Sequence, residues 1–409
     1  MKKEASNMKK QWRVGVLALC VVCVCAGCEN HPEYSTENKY VPGQDYQYTT
    51  YITEADDAYY YTQMVLNPED GLPDGAILMY IDKETMELIP LCNRPDCNHG
   101  EETEMEKIEA CSAYLPTSTA PYYDGSNLYF ERPKKRSDDQ QGNALAEAAF
   151  ELVKMDLDGT QQQVLSSQSG SISLSLMHRG YFYCLLDFYT ADGKEEQSGV
   201  YRIALQKDAK PELLYQAEEP MTIYKLDVYG NGLYISEDFM PSPDTYQCRC
   251  IRLDLLTKET QEVFHNDSGL AQYILEGFCN GKLMYCIADL ETETGETALY
   301  LAGLDGSDPT EVKGAGDFAS YLSDGEYIYR IPITWNPNYS PEDPYISVLD
   351  IDGKKLLSFS EEETGETLEL IPGNETYLFR MAQIDGEEKL LCAEKSGISS
   401  GKLDWKVIA

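Results

Sequence analysis

Seven times along the chain a Gly, Asn or Asp turn leads into an aromatic-rich strand. A loop of variable length follows, and a second alternating strand closes in an acidic turn. The strand pairs centre on Tyr60, Tyr129, Phe182, Tyr234, Met284, Ile328 and Leu378, at intervals of about 44 to 69 residues. Alternation of apolar and polar side chains is what a strand with two unlike faces requires. A period of this length in an all-β sequence is that of a propeller blade. The expectation is an all-β chain folded as a single β-propeller of four-stranded antiparallel blades over residues 48–409. Seven blades are favoured, with six or eight as the neighbouring counts. A length of 409 residues would hold two or three ordinary domains, but one closed ring absorbs it. Thirty-one tyrosines against ten phenylalanines suit half-buried β-surfaces, where the ring packs and the hydroxyl reaches water or backbone.

The N-terminus reads as a targeting segment and is set aside from the fold. Lys9, Lys10 and Arg13 precede an apolar run from Val14 to Cys25, too short for a membrane span of roughly 20 residues. The run ends in Val24-Cys25-Ala26-Gly27-Cys28. Small residues before a cysteine resemble the lipobox of bacterial lipoproteins, although Cys25 stands where leucine is usual. The resemblance implies a signal peptide over residues 1–27, with Cys28 lipidated on sulfur to become the new N-terminus. It also implies a cell-membrane location on the extracytoplasmic face; the competing reading is an ordinary secretory signal or an uncleaved anchor. Residues 28–47 are polar, contain Pro32, Pro42 and Gly43, and read as a flexible tether.

Residues 1–27 carry a net charge of +4, so their removal takes the formal charge from −37 to −41. A chain this acidic argues against nucleic acid and against anionic lipid heads as partners. It favours basic partners or cations, and its plainer meaning is solubility at a crowded envelope.

Nine cysteines remain beyond Cys28, an odd number that forbids full pairing within one chain. Cys92, Cys97, His99 and Cys111 form the one constellation with site chemistry. Three thiolates and an imidazole are a set that structural zinc prefers, while a disulfide with one spare cysteine would staple the same loop. Both readings, with inert thiols as the third, stand on the residues alone, and the first two make a brace within an insertion over 92–121. Cys184, Cys248, Cys250, Cys279, Cys286 and Cys392 lie in or beside core strands and read as small buried hydrophobes.

In a four-stranded blade, loops joining strands two to three and strand four to the next blade share one face. Most of the excess length falls in that set, including 132–150, 187–199, 237–247 and 334–344, and the insertion is placed with them. The opposite face receives tight Asp-Gly links such as Asp158-Gly159, Asp305-Gly306 and Asp352-Gly353. Because binding residues gather on loops held by a rigid scaffold, the loop-rich face is the expected binding face. Its candidates are Trp335 and Tyr339 as stacking platforms and Lys134, Lys135 and Arg136 as a basic cluster in an acidic protein; the plainer readings are a folded-back loop and a solvated tip.

No catalytic residue is expected. The four histidines are scattered, with His178 and His265 read as structural. No nucleophile elbow, zinc-protease helix motif or phosphate-binding glycine loop occurs. The runs Asp124-Gly125-Ser126-Asn127-Leu128-Tyr129-Phe130 and Leu152-Val153-Lys154-Met155-Asp156-Leu157-Asp158-Gly159 resemble bacterial propeller repeats related to the TolB and LDL-receptor-type propellers. That resemblance covers about residues 48–409, and the count of seven departs from the six blades frequent in those families. It implies a non-catalytic platform binding an envelope protein or a glycan. The alternative is a polysaccharide-active lyase or hydrolase with its site at the channel mouth.

Overall fold

The second strand of every repeat sits deep in the fold because its neighbouring side chains are buried on opposite sides of one sheet. Tyr59 and Tyr61 enter one apolar cluster and Tyr60 enters the next. The computed structural model describes residues 34–41, 44–45, 52–67, 71, 73–99, 104–117, 120–134, 148–190, 192, 194–242, 245–267, 269–289, 297–315, 319–332, 345–359 and 366–408. Residues Met1–Tyr34 form one unit, of which only Tyr34 is described, and Ser35–Ala409 form the other. Cys28, Lys135, Arg136, Trp335 and Tyr339 lie outside the described residues.

The larger unit is a seven-bladed propeller, each blade an antiparallel sheet whose strands follow chain order. Blade 1 comprises Ile52–Glu54, Ala58–Leu66, Pro73–Asp82 and Leu88–Pro90; blade 2 comprises Tyr122–Tyr123, Leu128–Pro133, Ala149–Met155 and Gln163–Ser169. Blade 3 runs through Ser171–His178, Tyr181–Tyr189, Glu195–Ala204 and Glu212–Tyr215. Blade 4 follows with Thr222–Tyr229, Gly232–Ser242, Thr245–Asp254 and Thr260–Asn266. Blade 5 has Ala271–Cys279, Lys282–Asp289, Thr297–Ala302 and Thr310–Glu311. Blade 6 has Ala319–Ser323, Ile328–Pro332, Ile346–Leu349 and Lys355–Phe359. Blade 7 closes with Glu366–Ile371, Tyr377–Ile384, Glu387–Glu394 and Lys406–Val407. All seven residues on which the repeat centres lie in second strands.

Seven apolar clusters fill the seven gaps between blades, including the gap between blade 7 and blade 1. The ring therefore closes without exchanging a strand. Among the described residues, side-chain contacts join its ends. Phe379 packs edge-on against Tyr59 at 5.0 Å between ring centroids, and Asn374 donates to the Tyr59 hydroxyl at 2.8 Å and to Glu54 at 2.6 Å. The turn before strand two explains that asparagine. In blades 2 and 6 an aspartate accepts backbone N–H groups with one oxygen and the hydroxyl of a tyrosine five residues on with the other (Asp124 with Tyr129, Asp324 with Tyr329). In blade 7 the residue five on is Phe379. Asn374 still accepts from the turn N–H groups, but its amide donates across the seam, which a carboxylate cannot do.

The reading of two long loops is corrected here. The stretches 187–199 and 237–247, read as loops, are mostly strand: the hairpins of blades 3 and 4 extend through Phe188↔Gln197 and Ser242↔Thr245 before turning. In the Asp-Gly links only the glycine takes positive φ (Gly159 at 78°, Gly306 at 82°, Gly353 at 81°), so each is a right-handed turn ending in a left-handed glycine.

The stretch read as a flexible tether is held to the ring from Ser35 onward. Arg179, in the turn between strands one and two of blade 3, is buried and donates to the carbonyls of Ser35 (2.8 Å), Glu37 (3.0 Å) and Lys39 (2.9 Å). It also forks onto the buried Asp45 carboxylate at 2.5 and 3.0 Å and reaches Asn231 at 2.8 Å. Asn231 in turn donates to the Thr36 carbonyl. Gly230 permits the approach, since a Cβ there would lie 2.7 Å from the Lys39 nitrogen.

Asp227, in the first strand of blade 4, carries a cost that can be measured. It is 2% exposed; one oxygen accepts from the Val228 N–H at 2.8 Å, and the other has no partner among the described residues. Burial pushes its carboxyl up to about 6, against the pull of Lys225. An acid whose folded value is raised binds the proton more tightly when folded, so its contribution to stability falls as pH rises from the unfolded value through about 6. Asp227→Asn is expected to stabilise the protein by roughly 1–3 kcal/mol at pH 7.5 and hardly at all near pH 4, read as melting curves at the two pH values. Equal shifts at both would show that the charge is not the cause.

Candidate metal centre

The insertion between blades 1 and 2 begins inside a strand. Leu88–Pro90 pairs with residues 79–81 of strand three, and Tyr114–Leu115 pairs antiparallel with residues 76–77 of the same strand. Between them Leu78 accepts a hydrogen bond from the Leu91 N–H at 2.8 Å and donates its own N–H to the Ala113 carbonyl at 2.8 Å. Residues 92–112 thus leave and rejoin the outer edge of blade 1 at a single residue. The expectation that the insertion belongs to the loop-rich face is corrected: it is a loop out of an outer strand, its ends already closed by the ladder.

Local chemistry folds it inward. The Cys97 N–H closes a turn on the Arg94 carbonyl at 3.4 Å, with Pro95 at the position where its fixed φ suits the turn. Arg94 spans the loop to the Ala110 carbonyl at 2.5 Å. A short helix α1, Met105–Glu109, buries Ile108, and the Cys111 N–H bonds back to the Ile108 carbonyl at 3.0 Å. Ile108, Cys111 and Ala113 enter the apolar cluster that also holds Tyr61, Ile77 and Met79 of blade 1 and Phe379, Leu390 and Cys392 of blade 7. The insertion therefore packs over the seam where the ring closes.

That packing brings the four candidate ligands together. The sulfurs of Cys92, Cys97 and Cys111 and a ring nitrogen of His99 all lie within 4.8 Å of one another. The Cys111 sulfur is 3.9 Å from His99 Nδ1, and the His99 backbone is turned to φ 53°, a region that few side chains adopt. In tetrahedral zinc–thiolate geometry the sulfurs stand about 3.8 Å apart, so a contraction of about 1 Å or less seats an ion. All three cysteines are free thiols. A disulfide would use two sulfurs and give neither the third nor the imidazole a role.

The donor set could hold a metal ion such as zinc; soft thiolates disfavour magnesium, calcium and manganese. Burial opposes ionisation of Cys92, but the Ser112 hydroxyl at 3.1 Å and the N–H groups of Arg94 and Ser112 outweigh it and hold the thiol down at about 6. Burial pushes Cys111 up to about 12. Four protein ligands close a coordination sphere, whereas a catalytic zinc keeps one position open. What such an ion would supply is bracing. Ser112 and Arg94 escaped the sequence reading; the visible signals were the hydroxyl adjacent to Cys111 and the Pro95-Asp96 turn between two cysteines.

The remaining candidates separate from this centre. Lys134 is exposed, 3.4 Å from the Ser167 hydroxyl. The strand ends Pro332 and Ile346 bracket the stretch containing Trp335 and Tyr339. His178 is buried with Nε2 2.8 Å from the Gly230 carbonyl, and His265 pairs with Glu262 on the surface; both serve structure. The six core cysteines are all buried. On the loop-rich side of blade 3 a cleft of about 480 Å³ is lined by Phe188, Gln197, Tyr201 and Gln216. Phe188 and Tyr201 meet edge-on at 6.2 Å, and Gln197 donates to the Tyr201 hydroxyl at 3.0 Å.

No family model matches the chain, and no curated protein is similar to it in sequence. Among solved structures it is similar to the β-propeller domain of the Trilobed protease from Pyrococcus furiosus, which has an open velcro topology. Identity there is 8% and the TM-score 0.51, covering 89% of this chain and 97% of that one. It is also similar to prolyl oligopeptidase B from Galerina marginata, at 10% identity and TM-score 0.51, covering 90% of this chain and 51% of that one. Oligogalacturonate lyase from Vibrio parahaemolyticus aligns at 11% identity and TM-score 0.46 over 87% of this chain and 86% of that one. At these identities the likeness to the first two shows a shared propeller fold and carries no chemistry with it.

Proposed function

We propose that the protein is a lipid-anchored extracytoplasmic propeller that binds an envelope protein or glycan without transforming it, its Cys₃His centre holding a structural zinc. The observation behind the binding reading is the asymmetry of the two faces. The hairpins of blades 3 and 4 project on one side, and the cleft lined by Phe188, Gln197, Tyr201 and Gln216 opens there, while the other side carries short turns except for the link 395–405 of blade 7. A cleft walled by two aromatic rings and two amides suits a neutral polar ligand, stacked on its apolar side and hydrogen-bonded on the other. Cys28 would fix this platform to the membrane, in keeping with the bacterial-lipoprotein resemblance.

Capture from solubilised native envelope tests the reading. One component is expected to co-purify with the wild-type chain and to fall at least tenfold in yield with the double substitution Phe188→Ala and Gln197→Ala. Turnover of acidic or neutral glycans by the purified protein would overturn the non-catalytic assignment.

A further inference from the structure

We propose that the Arg179 clamp orients the propeller on the membrane, tight-turn face toward the bilayer and loop-rich face outward. The inference rests on the lipid anchor at Cys28 proposed above and deepens it, because the anchor alone fixes no orientation. Were residues 28–47 wholly free, an extended chain of that length would reach some 65–70 Å, enough to let any side of the ring meet the lipid. Arg179 ends that freedom at Ser35. Only six residues then separate the clamp from Cys28, and the seven Cα steps between them span about 25 Å at full extension.

The clamp's position decides which face is drawn in. Arg179 and Asn231 both sit in turns between strands one and two, the side opposite the projecting hairpins. Their hydrogen bonds to Ser35, Thr36, Glu37 and Lys39 hold the first residues of the larger unit on that side. The grip is specific: a buried guanidinium satisfied by one carboxylate, one side-chain amide and three carbonyls is a preorganised fork that Lys cannot imitate.

Adhesion would not produce this orientation. The tight-turn rim exposes carboxylates, among them Asp57, Glu84, Asp158, Asp305, Asp308 and Asp352, which anionic headgroups repel. That repulsion fades beyond a Debye length of about 8 Å, well inside the 25 Å leash. The ring therefore stands off the surface, and its partner approaches from the side away from the bilayer.

The test uses full-length lipidated protein in phosphatidylcholine vesicles containing a headgroup-labelled energy acceptor. Donor dyes are placed on Asp308→Cys, at the tight-turn rim, or on Asp192→Cys, in the loop of blade 3. Transfer is expected to be at least twofold stronger from position 308. Arg179→Ala should level the two positions. So should ten Gly/Ser residues inserted after Glu29, a change that lengthens the leash and leaves the clamp and the fold alone. Equal transfer in the wild-type chain, or stronger transfer from position 192, overturns the orientation. Flotation is read first: protein that does not float with the vesicles overturns the anchor, and the orientation with it, by a result that transfer cannot mimic.

Discussion

Purified protein is expected to contain one zinc per chain, and Cys111→Ser to contain none. Metal binding draws the four ligands of residues 92–112 onto one point, and its free energy becomes folding free energy of the insertion. At free zinc a thousandfold above Kd the linkage amounts to about 4 kcal/mol. Chelation should therefore lower the melting temperature and open the insertion to protease. Amide exchange should rise in Tyr377–Ile384 of blade 7, because Ile108 and Cys111 pack with that blade across the seam. Affinity should fall as pH falls, since ligation requires deprotonated thiols and acid returns their protons. Cys92, held at about 6, is the ligand already ionised at neutral pH, while Cys111, pushed up to about 12, surrenders its proton on binding. A metal-free protein with two thiols missing from an alkylation count would establish a disulfide instead.

Arg179→Ala is expected to cost about 3–5 kcal/mol, the range for removing one partner of a buried ion pair. It strips the Asp45 carboxylate of its cation and three strap carbonyls of their donor. Release of the strap makes the loss local first: limited proteolysis should cut between Ser35 and Asp45 in the variant and spare the wild type. Arg179→Lys should rescue little, since one ammonium on a flexible stem cannot serve acceptors on all sides of a planar fork. Resistance of the alanine variant equal to wild type would mean that the strap is held by other contacts.

Blade count and strand placement were legible in the sequence because they are local. Alternation has a period of two and turns need glycine or aspartate, so Tyr60, Leu128 or Leu378 announces its strand within a window of ten residues. The boundaries of the projecting hairpins were not legible. Asp187 to Gly199 is largely polar, and polarity reads as loop, yet the ladder is made by backbone groups, and the buried Asp187 is satisfied across the hairpin by the Ser198 hydroxyl at 2.6 Å. The four candidate ligands could be named from residue type. Their convergence needed coordinates, because spacing alone does not say that a ring nitrogen of His99 and three sulfurs come within 4.8 Å of one another.

The strap shows the opposite limit. Arg179 and Asp45 stand 134 residues apart, and no periodicity or motif connects a lone arginine in a turn to a polar segment read as a tether. By itself the sequence determined an all-β ring of repeated blades, a cysteine-bearing insertion and a chain whose excess length is unevenly distributed. The tertiary structure decided where that insertion leaves the sheet, which face the N-terminal segment grips and how the ring closes. The division follows from range. Hydrogen-bonded strands and turns are specified by neighbours in the chain, whereas Leu78 holding both ends of a loop, or Asn374 reaching Tyr59 across the seam, exists only once distant segments have packed.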